Sequence, residues 1–361
     1  MALTQVQSGI LADSTQTYGM KNRIINGDMR IDQRNAGASV TQNDTGIYTL
    51  DRWSAYGVVT SKFAVRQNVN SVTPPAGFKN YLGCTSSSAY SITSGDIYIV
   101  QQNIEGYNVA DLAWGTASAS AVTLSFWVRS SLTGTFGGSI TAGNSRNYPW
   151  SYTISLANTW EYKTITIPGD TSGTWGSTNG TGVIVNWSLG TGSSYSNSAG
   201  SWTASSSYSV PGAVSVVGTS GATLYITGIQ LEKGSTATSF DYRPYGTELA
   251  LCQRYFVKYG GEVTAEVVAT GGMGSSTTLG QFFYSYPVRM RTQPTLSFSS
   301  VNLADAVNPT AAVTSMAFNN TVGSSQIAAV DMNVSSGVAA NRPLYARTAN
   351  TSGFLAYSAE L

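Results

Sequence analysis

The chain is expected to be all-β: a β-sandwich or barrel, then a short helix and a smaller C-terminal β domain. Three observations lead there. Charged residues make up only 10% of the 361 residues, against about 25% in ordinary globular proteins. Aromatic residues reach 11% and glycines number 38, the mixture of strand formers and turn formers that β-structure uses. Stretch after stretch also alternates apolar and polar residues, the period of a half-buried strand.

Residues 1–20 are polar and without period, which suits an arm that orders only when tied to a partner. NRIINGDMRIDQRNAG (22–37) follows. Its Asn26-Gly27 pair reads as a two-residue hairpin turn between short strands. Lys21, Arg23, Asp28, Arg30, Asp32 and Arg34 cluster around it, in a position to pair locally. VTLSFWVRS (122–130) puts Val122, Leu124, Phe126 and Val128 on one face and Trp127 and Arg129 on the other. WEYKTITIP (160–168), GVIVNWSLG (182–190) and ATLYITGIQLEKG (222–234) continue the pattern, with Trp187 on the apolar face of its strand. No charge occurs between Asp170 and Glu232, yet Trp175, Trp187 and Trp202 lie there, so the stretch reads as folded β-structure with long loops.

In FDYRPYGTELALCQRYF (240–256), Pro244 and Gly246 break the chain. Thr247 is placed to cap a helix with Leu249, Cys252 and Phe256 on one side. All eight tryptophans precede residue 203, and the later text, with strands such as GQFFYSYPV and PTLSFSSV, is richer in Ala, Val, Ser and Thr. The expected divisions are an arm at 1–20, a sandwich at 21–245, a connecting helix at 246–257 and a second β domain at 258–361.

Composition excludes several functions. A net charge of +1 offers no basic footprint for nucleic acid and no electrostatic hold on a membrane. No apolar run reaches the roughly 18 residues of a spanning helix. The first residues lack the basic and apolar regions of a cleaved signal. Cys84 and Cys252 are too few and too distant for a disulfide framework or a metal pattern, and read as buried thiols. There is no histidine, which removes the commonest general base and the triads built on it. Glu161, Asp170, Glu262 and Glu266 are conceivable acids, each more simply a solvated residue. No enzyme, no cofactor and no metal is expected.

The constellation that stands out is aromatic. Tyr148 and Trp150 lie in SRNYPWSY, Trp175 in SGTWGST and Tyr195 in GSSYSNS, all read as turns, and Trp202 lies in AGSWTA. Trp127 turns away from the apolar face of its strand. Flat rings among Asn, Ser and Thr suit sugars, whose C–H faces stack on rings while hydroxyls bond the polar rim. The same rings would equally pin loops or seal a subunit contact. Low charge leaves sheet edges under-protected, which favours an oligomer.

Several segments resemble a family of phage and prophage tail-fibre-type virion proteins. NRIINGDMRIDQRNAG followed by YTLDRW is similar to the family's opening. VTLSFWVRSS, NTWEYKTITIPGD and ATLYITGIQLEKGSTATSFDYRPYGTELALCQRYF are similar to later signatures, and YPVRMRTQPT and the terminal SAEL to a small C-terminal domain. RPYGTELALCQRYF is the most specific part. The resemblance implies a carbohydrate-binding-module-like jelly roll in a homotrimeric appendage, assembled in the bacterial cytoplasm, attached to tail or capsid through residues 1–20 and contacting host surface glycan. Jelly rolls of that wider class often hold a calcium ion. Here Arg30 stands where a Glu is usual, and Thr227-Gly228 where an Asp is, so calcium is not expected. Two alternatives stay open: a decoration or other structural virion protein without ligand, and a glycan-cleaving tailspike. A secreted bacterial module fits less well, for want of a signal.

Overall fold

The computed structural model describes residues 20–142, 146–305, 310–319 and 323–361. The attachment arm expected over residues 1–20 lies, but for Met20, outside the described residues. The described chain is all-β and falls into two compact units, one ending at Arg243 and the other beginning at Pro244.

The first unit is a sandwich of two antiparallel six-stranded sheets. Its strands are β1 (Val40–Thr41), β2 (Ile47–Tyr48), β3 (Ser54–Gly57), β4 (Phe63–Gln67), β5 (Leu82–Ser86), β6 (Ile97–Glu105), β7 (Val122–Ser130), β8 (Gly134–Thr141), β9 (Asn147–Ile154), β10 (Glu161–Ile167), β11 (Thr181–Thr191) and β12 (Thr223–Lys233). Sheet A runs β1-β4-β5-β12-β7-β10 and sheet B runs β2-β3-β6-β11-β8-β9. The alternation read from the sequence is what builds the core. Val122, Leu124, Phe126 and Val128 of β7 are fully buried, as are Val185, Trp187 and Leu189 of β11. Phe126 from sheet A meets Trp150, Tyr152 and Trp187 from sheet B at centroid distances of 5.2–5.8 Å.

The opening stretch corrects one expectation. Residues 22–34 form no strand and hence no hairpin. They run beside β12, where Arg23 N–H donates to Leu231 O (2.9 Å) and Ile229 N–H donates to Gly27 O (2.9 Å). Asn26 is buried with a left-handed φ of 58°. Its amide donates to Ile31 O (2.8 Å) and Asp51 O (3.0 Å), while its carbonyl oxygen accepts Ile31 N–H (2.9 Å). The Asn side chain thus stands in for the missing ladder partner. Gly27 is required for closeness, since a Cβ there would lie 2.2 Å from Ile229 O. Of the nearby charges, Arg30 and Asp28 pair locally at 2.9 Å, but Arg23 reaches the distant Asp111 at 2.8 Å.

The second unit opens with helix α1 (Tyr245–Gln253). Pro244, not Thr247, occupies its N-cap, and no side chain caps it. Proline suits a helix start because the first N–H groups have no partner to lose. Cys252 is buried under the helix, Leu249 is half-buried, and Phe256 already belongs to β13 (Phe256–Tyr259). Then follow β14 (Val267–Gly274), β15 (Leu279–Ser285), β16 (Thr295–Ser299), β17 (Val301–Ala304), β18 (Ala311–Phe318), β19 (Ile327–Val334), β20 (Pro343–Thr348) and β21 (Phe354–Ser358). Strands β14-β15-β19-β18-β17-β20 close into a barrel, which removes their free edges. β13, β21 and β16 form a separate three-stranded sheet. Both cysteines are buried, and neither is in a disulfide.

Candidate functional site

The five aromatic residues taken as candidate glycan contacts go to four different places. Trp150 is a core residue, 1% exposed, on β9 and not in a turn. Its ring is wedged against Phe126 and Trp187, so neither face is open to a ligand. Tyr148 lies two residues earlier on the same inner side, and is also buried. Pro149 made SRNYPWSY look like a turn. β9 is the edge strand of sheet B, however, and there a residue without an N–H is tolerated.

Trp175 sits in the loop after β10 and joins a cluster at one end of the sandwich. Its ring lies 4.6 Å from Trp114 and 5.4 Å from Trp202, and Trp202 lies 5.1 Å from Tyr148. These rings cover one another and leave a cavity of only about 40 Å³. Tyr195 ends a short turn, packs on Tyr208 at 6.0 Å, and belongs to the segment that lies across sheet B.

Trp127 is different. Its strand places it on the outer face of sheet A, directly across from Tyr162 of β10 in the ladder, with ring centroids 5.3 Å apart. Beside the pair, β12 carries a bulge between Thr227 and Gln230. At the bulge Gly228 takes a left-handed φ of 59°, and the Phe78 ring lies so close that a Cβ would come within 2.5 Å of it. Only glycine meets both demands. After β12 the chain folds back over the same face. Gln230 holds it there by donating to Ser239 O (3.3 Å) and accepting Asp241 N–H (2.8 Å). Glu232 accepts Thr238 N–H (2.9 Å) and the Thr238 hydroxyl (2.6 Å). These ties set Phe240 and Tyr242 against Phe78, at 5.1 and 5.5 Å.

The result is an open recess of about 470 Å³ with Trp127 and Tyr162 on one side and Phe78, Phe240 and Tyr242 on the other. Ser125, Thr238 and Ser239 supply polar lining, and no charged side chain lines it. Tyr162 and Tyr242 are 45% and 54% exposed. Phe78, Phe240, Tyr242 and Tyr162 were not among the residues singled out. The spacing of Phe240 and Tyr242, two apart in SFDYRPY, puts them on one side of an extended segment and was the available signal.

Of the four acids read from the sequence, Asp170 and Glu161 are paired with basic side chains. Asp170 is held by Arg146 through two bonds of 2.7 Å. Burial pushes its carboxyl up, but the Arg146 guanidinium and the Ser172 N–H outweigh this and hold it below the usual carboxylate range. Glu161 is likewise raised by burial and lowered further by Lys163 and the Leu156 and Ser155 N–H groups. Carboxyls kept ionised in this way do not suit the proton-donor role in glycoside cleavage, which needs a raised pKa. Glu262 and Glu266 belong to the second unit, where Glu266 accepts the Glu262 N–H at 3.0 Å. Among the described residues no group of three or more Cys, Asp or Glu side chains is placed to hold a metal ion.

No protein-family model matches the chain, and no curated protein sequence does. Among solved structures, the enzymatically active domain of tailspike protein 4 from bacteriophage CBA120 is similar over 59% of this chain, at 13% identity and a TM-score of 0.32. This chain spans 21% of that tailspike's length. A family 11 carbohydrate-binding module from Clostridium thermocellum, in complex with a β-1,3-1,4-mixed-linked tetrasaccharide, is similar over 56% of this chain and 100% of its own, at 14% identity and a TM-score of 0.27. The module TmCBM61, in complex with β-1,4-galactotriose, is similar over 50% of this chain and 88% of its own, at 10% identity and a TM-score of 0.27. At these scores nothing about ligand or activity passes from those proteins to this one.

Proposed function

We propose that this chain is a glycan-binding component of a phage virion appendage, and that it binds through the recess around Trp127 without cleaving its ligand. The observation that carries the binding reading is the Trp127–Tyr162 pair facing three further rings across an open, uncharged recess. Ring faces stack on the C–H faces of sugars, and the exposed Ser239 adds a hydroxyl partner at the rim. The virion part rests on the tail-fibre resemblance of RPYGTELALCQRYF and the segments before it. The non-cleaving reading is supported by the basic partners that hold Asp170 and Glu161 ionised. In this reading the protein acts as a homotrimer anchored through residues 1–20.

The test is adsorption of the purified chain to host cells or extracted surface polysaccharide. Trp127→Ala is expected to weaken adsorption at least about tenfold, as a lost stacking ring would, with the melting temperature nearly unchanged. A second reading is favoured by the exposure of Tyr162 and Tyr242: the recess faces another subunit and the protein is purely structural. In that case Trp127→Ala leaves adsorption alone and lowers the mass measured by light scattering.

A further inference from the structure

We propose that a second cleft on the outer face of sheet A, between β4 and β5, is a subsite for the carboxylate of an acidic sugar, so that the ligand is an anionic glycan. This rests on the glycan reading above and extends it to ligand class. The cleft has a volume of about 280 Å³ and is lined by Arg66 with Ser39, Asn70, Thr85, Ser86 and Ser87, and by no acid.

One ladder row crosses four strands here. Arg66 of β4 stands opposite Gly83 of β5, Gly83 opposite Tyr225 of β12, and Tyr225 opposite Arg129 of β7. Two arginines therefore share one face, three strand spacings or about 14 Å apart. Among the described residues neither makes an ion pair. Arg66 donates only through Nε, to Gly37 O at 3.0 Å, which leaves its terminal nitrogens for a ligand. Arg129 donates through Nε to Asn158 O (2.9 Å) and lies over the Tyr225 ring at 5.4 Å. Burial pushes the Tyr81 hydroxyl up, while the bond to the Val72 N–H and both guanidiniums pull the other way.

The cleft wall is unusual in its backbone. Asn68, Asn70 and Ser71 all have left-handed φ, between 50° and 57°, a conformation that costs energy in non-glycine residues and collects at binding sites. It is held by Asn68, which accepts Tyr81 N–H (3.0 Å), and by Asn70, which donates to the Tyr225 hydroxyl (3.0 Å). Across the cleft floor the Thr85 hydroxyl is shielded from solvent and has no partner. A guanidinium with free forked donors, hydroxyls around it and no competing acid is a carboxylate receptor. The aromatic recess, lined by no charge, takes a neutral unit of the same chain.

The experiment uses the full chain on a printed array of bacterial oligosaccharides, each uronic-acid-containing member paired with its carboxyl-reduced counterpart. The expected result is that retained glycans carry a carboxylate, and that reduction weakens them about tenfold or more. Arg66→Gln should produce the same loss with unchanged melting, because Arg66 is exposed, and Arg129→Gln a smaller one. Retention of neutral glycans alone overturns the proposal. So does equal binding before and after reduction, or binding indifferent to Arg66→Gln. In each of those cases sensitivity to Trp127→Ala keeps the glycan reading intact, whereas retention of no glycan at all sinks both.

Discussion

On sheet B, residues 192–217 lie against the outer face. A Cβ at Gly137 would lie 2.3 Å from Ser209 Oγ, and Asn186 and Ser139 are fully buried beneath this cover. The segment also grips the edge strand, where Asn147 and Thr203 exchange backbone bonds of 2.8 and 2.9 Å. On sheet A, the covering segments 68–80 and 234–242 stop short. They leave the aromatic recess and the arginine cleft between and beside them. The buried outer surface of sheet B includes Ser139, Asn186 and Ile99, while the open part of sheet A carries Trp127, Tyr162, Arg66 and Arg129. On sheet A the covering segment packs on Tyr81 and Tyr225, whereas Trp127 and Tyr162 stand where solvent, or a ligand, reaches them.

The comparison can be tested in order of expected effect on stability. Trp150→Ala, on the inner side of sheet B, should cost about 3–5 kcal/mol in chemical denaturation, as for a large buried ring. A cost below about 1 kcal/mol would return Trp150 to the surface set. Asp170→Asn should cost about 3 kcal/mol at neutral pH, because it strands the Arg146 guanidinium beside a buried group. Asp170 titrates lower when folded than when unfolded. Its contribution is therefore present above the unfolded value near 3.9 and is lost as the pH falls through the folded one. The variant should show a flatter melting-temperature curve than the parent below about pH 4; parallel curves would remove the pair from the account.

Gly137→Ala should cost about 1–3 kcal/mol by pushing residues 207–210 off sheet B. Hydrogen exchange should quicken there and not over sheet A. Trp127→Ala should cost about 1 kcal/mol or less, since one face of its ring is already uncovered. A larger loss would mean that the recess is structural packing.

The strands β7, β10, β11 and β12 were legible in the sequence because apolar and polar residues alternate along them, a phase that the bulge between Thr227 and Gln230 shifts in β12, and Trp127 was legible because it sits out of phase with Phe126. The sorting of Tyr148, Trp150, Trp175 and Tyr195 was not. It depends on which polar stretch is an edge strand and which is a loop, and Pro149 is compatible with both. The far wall of the recess was hidden for a different reason. Phe78 comes from a loop some 150 residues before Gly228 in the chain, and only the fold brings them together. The Asn26-Gly27 signal misled because an asparagine side chain can close a ladder as well as a turn.

The way residues 234–242 are fastened has a consequence for variation. Gln230 and Glu232 hold this wall through side-chain bonds directed mainly at backbone groups, with the Thr238 hydroxyl as the chief side-chain partner. Backbone groups are the same for every amino acid. The identities of the residues at 239, 240 and 242 can therefore change while the anchorage persists, and the sandwich beneath keeps its core. The wall is an exchangeable cassette: a lineage, or an engineer, could retarget the recess by rewriting three positions, with Gln230, Glu232, Thr238 and Gly228 left as the mounting.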